Sequence, residues 1–328
     1  MDRRDLRSGN ILLLKKLLKE HRSATKPQLS KLSGLSVVTV NAIMKILVAE
    51  GIAEEQEAAP STGGRPAIMY SYRLDRRLAL SAFSVADNTE GAKDKLIIAV
   101  DNIFGETQDK EEILTDAVTP TLFVEKLRPF LEKYPQIPMI SVGLSAKHSI
   151  EFQDLPELND MPLERYLTAK TSRPVQLTGE IDAATVGCGS LFGKFAENEV
   201  IIGIHWPNLT PPVAGITMHG QLYKGKDGIA GQIGKRFFGS AYHKPLDIVR
   251  EAARIVVMLT RTFNPHGLVI YSDELLPEHA AVITERAGRE IPAKFLPTII
   301  MRESLTEDYK VGMKILAMKH LATFEENL

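Results

Sequence analysis

The chain of 328 residues has a single cysteine, Cys188, and no uninterrupted apolar run of about eighteen residues. One thiol excludes an internal disulfide and any zinc site built from several cysteines, and Cys188 reads as small buried filler. Without a long apolar run there is no helix able to cross a bilayer. The opening residues, Met-Asp-Arg-Arg-Asp, also lack the apolar stretch of a signal peptide. The expectation is a cytoplasmic protein with no membrane partner. Repeats of solenoid period are missing too. What is present is ordinary for a folded chain: 44% hydrophobic and 25% charged residues, and enough length for two or three cores.

Charge is unevenly spread. Residues 1–50 hold ten Lys and Arg against four Asp and Glu, a net of +6 in a chain whose net is −1, so the remainder sums to −7. Cations that release counterions from phosphates provide most non-specific DNA affinity. Local patterning in the same region predicts a winged helix-turn-helix over 1–73. Residues 11–18 keep apolar side chains at the helical period, as a support helix would. Thr25, Pro27 and Gln28 form a capping-box signature for a second helix holding Leu29 and Leu32 inward. Gly34 supplies the left-handed residue of a sharp turn, and Ser36 caps a third helix.

Val40, Ile43, Leu47 and Val48 of that helix are expected to face the core. Val37, Val38, Thr39, Asn41, Ala42 and Lys45 then face outward as groove readers beside Ser36, and Asn41 is expected to pair with adenine. Ile52-Ala53-Glu54 and Ile68–Tyr72 read as wing strands. Gly63-Gly64-Arg65-Pro66 lies near the tip, where Arg65 would enter a minor groove. A helical oligomerisation module would share the helices but not the wing. The expected partner is a double-stranded DNA operator.

The acidic stretch 54–62 reads as the wing's loop, and a boundary is expected near Arg73 to Arg77. Beyond it, Leu78–Val85 alternates as a strand and Lys95–Val100 is a buried-strand run closed by a turn at 101–106. Pro120–Lys133 reads as helix, Met139–Leu144 as strand, Leu163–Thr168 as helix and Pro174–Leu177 as strand. Strands follow at Ile201–Ile204 and Gly215–Met218, with helices near 246–263 and 277–288. Mixed sheets with crossover helices follow from that order.

These residues resemble the ROK family of bacterial repressors and sugar kinases, in particular its repressor branch. The likeness runs over essentially the whole chain, to the last helix with Gly312. Gln221–Gly225 followed by Gly228–Lys235 is similar to the family's glycine-rich segment ending Ala-Gly-Glu-Ile-Gly-His. Pro174-Val175 with Gly179–Ala184 stands at the register of Asn-Asp-Ala-Asn-Ala-Ala, and Asn264-Pro265 matches a turn before a strand. The resemblance implies an actin-like ATPase (ribonuclease H-like) α/β fold over 74–328. One lobe would comprise about 74–178 with the terminal helix 305–328, the other about 179–304.

Departures from the family pattern carry the functional expectation. A kinase of this type needs Asp-x-Gly-Gly-Thr-Lys after its first strand, because only glycine lets backbone amides close on phosphate; here the turn is Val85–Gly91, without the glycine pair or the lysine. The second phosphate loop is replaced by His205–Pro212, and the later glycine pair by Tyr271-Ser272-Asp273. Glu180 registers with the catalytic aspartate but would have no phosphoryl donor to serve. Lys235 replaces a histidine that binds sugar and zinc, and residues 239–246 hold His243 but no cysteine, so no zinc and no cofactor is expected.

Glu180, Asp182, Gln232 and Lys235 remain as a polar set at positions that touch sugar in related proteins. They suit a sugar or sugar-derivative effector, or form a collapsed, internally paired remnant. The first reading is a non-enzymatic transcriptional regulator of carbohydrate genes, a repressor acting as a homodimer or homotetramer, with the ROK domain pairing the DNA-binding heads. Two alternatives are a sugar kinase with a regulatory N-terminus and a constitutive DNA-binding scaffold.

Overall fold

The computed structural model describes residues 3–57, 68–73, 76–87, 89, 91–152, 155–158, 160–189, 191–192, 199–207, 211–234 and 247–326. The chain divides into two compact units, Met1–Leu78 and Ala79–Leu328.

The first unit is three helices and a small sheet. α1 (Arg3–His21), α2 (Lys26–Ser33) and α3 (Val37–Ala49) bury Leu14, Leu18, Leu29, Val40, Ile43, Met44 and Leu47 together. The Thr25 hydroxyl accepts the Gln28 N–H while the Gln28 side chain accepts the Thr25 N–H, so α2 starts with two of its free amides satisfied. Gly34 ends α2 at φ 70, a conformation that a side chain would strain, and the next helix departs at 113°. β2 (Ala53–Glu57) and β3 (Ile68–Tyr72) pair antiparallel, and β1 (Ser23–Thr25) adds to β3 as a third strand that residue patterning did not reveal. Two placements differ from expectation. Leu32 is 47% exposed, because α2 is only two turns long and Leu29 alone fills its inward side. Met44 rather than Val48 completes the buried stripe of α3.

The second unit contains two five-stranded sheets of the same topology. Sheet I comprises β4 (Ala79–Val85), β5 (Asp94–Asp101), β6 (Thr107–Thr115), β7 (Ile140–Leu144) and β8 (Val175–Gly179), in spatial order β6-β5-β4-β7-β8. Sheet II comprises β9 (Val200–His205), β10 (Val213–Met218), β11 (Gln221–Leu222), β12 (Gly267–Tyr271) and β13 (Thr298–Arg302), in order β11-β10-β9-β12-β13. Each is an antiparallel meander whose first strand is central and is flanked on its other side by two parallel strands. β4 alternates in sequence, yet Ala79–Ser84 are all buried, since a central strand is covered on both faces.

α4 (Pro120–Lys133) and α6 (Leu163–Thr171) lie together in the first lobe, as α8 (Ile248–Phe263) and α9 (His279–Gly288) do in the second. Between β7 and α6 lies a short helix that the sequence reading lacked, α5 (Ala146–Glu151), capped by the Ser145 hydroxyl accepting the His148 N–H. The sheets are joined by α7 (Glu180–Gly187) and α10 (Thr306–Glu326), which pack closely on each other. A shared apolar cluster draws Phe83 and Ile97 from sheet I, Ile201 and Val269 from sheet II, Ala183 and Ala184 from α7, and Tyr309 and Met313 from α10. Polar ties fix α10 on both sides. Lys314 Nζ lies 3.0 Å from the buried Asp101 carboxylate, His320 Nδ1 is 2.8 Å from Ser141 Oγ, and the Tyr271 hydroxyl donates to Asp308 at 2.9 Å.

Candidate functional site

In the first unit the exposed side of α3 is assembled by its cap. Ser36 Oγ accepts the Thr39 N–H at 3.1 Å and meets Thr39 Oγ1 at 2.9 Å, which fixes the first turn. Val38 is 79% exposed, Val37 is half exposed, and Lys45 and Ala42 also face solvent, while Thr39 and Asn41 are half-buried. Asn41 is held: Lys26 Nζ lies 2.6 Å from its Oδ1 and 5.0 Å from the centre of the Tyr70 ring. The Tyr70 hydroxyl donates to Glu55 Oε1 at 2.9 Å. Lys26 and Tyr70 were not singled out in the sequence, because the bond between Lys26 and Asn41 spans fifteen residues and two helices. Arg65 and its neighbours Gly63, Gly64 and Pro66 lie outside the described residues.

In the second unit β8 runs through Gly179 directly into α7, so Glu180 and Asp182 stand in that helix's first turn. Residues two apart on a helix point to different sides. Glu180 points toward α5 and β9: it accepts the Ala146 N–H, and His205 Nδ1 lies 3.5 Å from its Oε1. Burial pushes the Glu180 carboxyl up to about 7, against the pull of that N–H. Burial likewise pushes the His205 imidazole down to about 4, with Asp273 opposing. Burial thus disfavours charge on both partners, and the 3.5 Å separation fits a weak contact better than an ion pair.

Asp182 instead forms an ion pair with Lys224, from the segment just after β11. Gln232 is exposed on the loop that follows, where the Gly231 carbonyl accepts the Ala214 N–H and so pins the loop to β10. The structure thus brings Glu180 and Asp182 to one helix end and adds His205 and Lys224, which were missed as site residues. Lys224 lay within the glycine-rich stretch already singled out, and its positive charge there was the available signal. Lys235 lies outside the described residues, as do His243 and residues 239–246. Among the described residues no three His, Cys, Asp or Glu side chains gather as a metal site.

The turn after β4 is arranged around the protein's own carboxylates. Asp94, almost fully buried, accepts the Asp87 N–H at 3.0 Å, Lys147 Nζ at 2.7 Å and His148 Nε2 at 3.0 Å. Burial acts to raise this carboxyl, but the Lys147, Asp87 and His148 donors hold it below the usual carboxylate range. Thr89 donates its N–H to Asp87. After β9 the buried Trp206 gives its N–H to the Tyr271 carbonyl, and Gly234 gives its N–H to Pro212. The N–H groups of Asp87, Thr89, Trp206 and Gly234 are thus engaged within the protein.

No protein-family model matches the chain. It is similar to the xylose repressor of Bacillus spizizenii, 24% identical over 232 residues, covering 68% of this chain and 58% of that protein. The xylose repressor of Caldicellulosiruptor bescii is 25% identical over 253 residues, covering 70% and 58%. The chain therefore spans less than two thirds of the length of these curated relatives. Among solved structures, a ROK family transcriptional regulator, described as a homologue of the E. coli MLC protein, aligns with a TM-score of 0.55 at 14% identity over 97% of this chain and 98% of that one. A ROK hexokinase from Thermus thermophilus aligns with a TM-score of 0.53 at 16% identity over 75% of this chain and 99% of that one. Among the described residues no single helix is long and apolar enough to cross a membrane.

Proposed function

We propose that this chain, a ROK family protein in fold and in sequence relationship, is a DNA-binding transcriptional repressor of carbohydrate-related genes. The observation that carries the reading is the pair α2 and α3. They cross at 113° through a left-handed Gly34, and the capped first turn of α3 leaves Val37 and Val38 to solvent within a segment of net charge +6. Helix-turn-helix pairs cross at roughly 90–120° and present the start of the second helix to a major groove. The sheet of β1 to β3 then serves as the wing, with Arg65 at the minor groove. Ser36, Val37, Val38, Thr39, Asn41 and Lys45 form the major-groove surface over residues 1–73. Residues 74–328 pair these heads as a homodimer or homotetramer in the cytoplasm.

The α7 end is the effector site, taking a sugar or sugar derivative through Glu180, Asp182, Gln232 and Lys235. A ligand hydroxyl reaching Asp182 competes with Lys224, and Glu180 in its acid form can donate as well as accept a hydrogen bond. Phosphoryl transfer is disfavoured, since the sequences after β4 and β9 lack the glycine pairs that let backbone amides close on phosphate, and the Asp87, Thr89 and Trp206 N–H groups are taken by Asp94, Asp87 and Tyr271. The chain acts as a regulator rather than an enzyme. Selection of duplexes from a random pool with the purified full chain tests the reading: an enriched motif bearing two half-sites is expected, and no enrichment above background sinks it.

A further inference from the structure

An ammonium group has donors only, so whichever atom of the Asn41 carboxamide faces Lys26 at 2.6 Å must be the oxygen. The amide nitrogen, with its two hydrogens, is then on the other side. Lys26 is itself held from behind. Its ammonium lies over the ring of Tyr70, 5.0 Å from the centroid, and the Tyr70 hydroxyl is fixed by Glu55 on the neighbouring strand. Tyr70 is 1% exposed, so this support is part of the core rather than a mobile surface contact. A chain of contacts Glu55, Tyr70, Lys26, Asn41 therefore runs from the sheet through the first residue of α2 to the second turn of α3.

We propose that Lys26 is a specificity-determining positioning residue: it turns the Asn41 carboxamide so that Asn41 reads bases as a hydrogen-bond donor. The inference rests on the DNA-binding reading of α3 and states what that surface selects. Free asparagine suits adenine, giving its NH2 to N7 and accepting from the N6 amino group. Here the accepting oxygen already faces an ammonium, and an adenine amino group brought to it meets that positive charge. Guanine offers two acceptors, O6 and N7, to the two amide hydrogens; thymine offers O4 alone; cytosine offers a donor and is rejected. Guanine is the base that this arrangement matches, in place of the adenine that the residue type by itself suggests.

The test selects duplexes from one random pool with the full chain in three forms: unaltered, Asn41→Ala and Lys26→Met. The base position whose preference disappears in Asn41→Ala belongs to Asn41. Guanine is expected there with the unaltered protein, shifting roughly tenfold toward adenine in Lys26→Met as the oxygen is released. A further measurement does not depend on any variant folding. Replacing that guanine by 7-deazaguanine in the best site removes one acceptor and is expected to weaken binding by the unaltered protein several-fold. Adenine at the Asn41 position, an unchanged preference in folded Lys26→Met, no effect of 7-deazaguanine, or an enriched motif with no Asn41-dependent position each overturns the proposal while leaving DNA binding intact. No enriched motif at all takes down the DNA-binding reading and this proposal with it.

Discussion

Gly312 of α10 lies so close to Ala183 of α7 that a β-carbon on the glycine would stand 1.7 Å from the alanine carbonyl oxygen. Gly187 of α7 meets the Asp308 carbonyl of α10 in the same way, at 1.9 Å. Two helices that join two sheets thus touch backbone to backbone. Gly312→Ala must push them apart and open the cluster around Tyr309 and Met313, at a cost of about 3 kcal/mol or more. Each kcal/mol lowers Tm by about 2–4 °C in a domain of this size. Gly288→Ala is the control: its added carbon would lie 3.6 Å from Leu296 Cδ1, an ordinary contact. Calorimetry should show a loss for the first variant and a change within about 0.5 kcal/mol for the second. Equal effects would mean the helices do not meet as described.

The acid and imidazole at the α7 end oppose each other in their pH dependence. Glu180 rises from 4.5 to about 7 on folding, so the folded state holds its proton more tightly. The resulting penalty is absent below pH 4.5, grows as pH rises, and is complete above 7. His205 falls from 6.5 to about 4, so its penalty is complete below pH 4 and is relieved as pH rises to 6.5. Glu180→Gln should gain stability relative to the unaltered protein between pH 4.5 and 7, reaching on the order of 3 kcal/mol. His205→Asn should gain at the acid end. Urea titrations at a series of pH values would read both, and profiles parallel to the unaltered protein would remove the burial argument.

The cap of α3 links stability to DNA binding. Ser36→Ala leaves the Thr39 N–H without its side-chain acceptor, which costs about 1 kcal/mol. Ser36→Asp retains an acceptor and should recover most of the stability, yet it places a negative charge beside the phosphates and should weaken operator binding further. If both variants bind DNA like the unaltered protein, this end of α3 does not face the duplex.

Sugar phosphate should not form when the chain is incubated with ATP, magnesium and a panel of sugars, since the sequence after β4 lacks the glycine pair and the Asp87 N–H is taken by Asp94. Product that disappears in Glu180→Gln would establish the kinase reading instead.

Effector binding is testable by linkage. A ligand at about 100 times its dissociation constant adds roughly 2.7 kcal/mol to the folded state. A sugar or sugar derivative that raises Tm should lose the effect in Asp182→Ala, and a panel that moves Tm in neither protein would argue for an internally paired α7 end.

Short-range chemistry was legible in the sequence, and chemistry across elements was not. The Thr25–Gln28 box, the left-handed Gly34, the Ser36 cap and the whole of Pro120–Lys133 each depend on residues within a turn of one another. β1, three residues long, exists because Ala24 pairs with Tyr70, forty-six positions later, and no local pattern announces such a strand. Glu180 and Asp182 were visible as carboxylates. Their division into a buried acid and an ion-paired anion depends on His205 and Lys224, which arrive on β9 and after β11. The shared order of the two sheets was hidden for a similar reason: strand order is a property of pairing, and the two halves need no common residues to adopt it.

The last helix sets an order of events during synthesis. α10 supplies Lys314, Ala317, His320 and Leu321 to the sheet that begins at Ala79, yet it follows α7 by more than a hundred residues, with all of sheet II between them. Local contacts form fast and distant ones slowly. The three-helix head can therefore mature while translation continues, whereas sheet I leaves the ribosome with an apolar face uncovered and keeps it so until residues 306–326 emerge. Mutations that slow the docking of α10 should therefore lower the yield of folded chain without altering the finished fold.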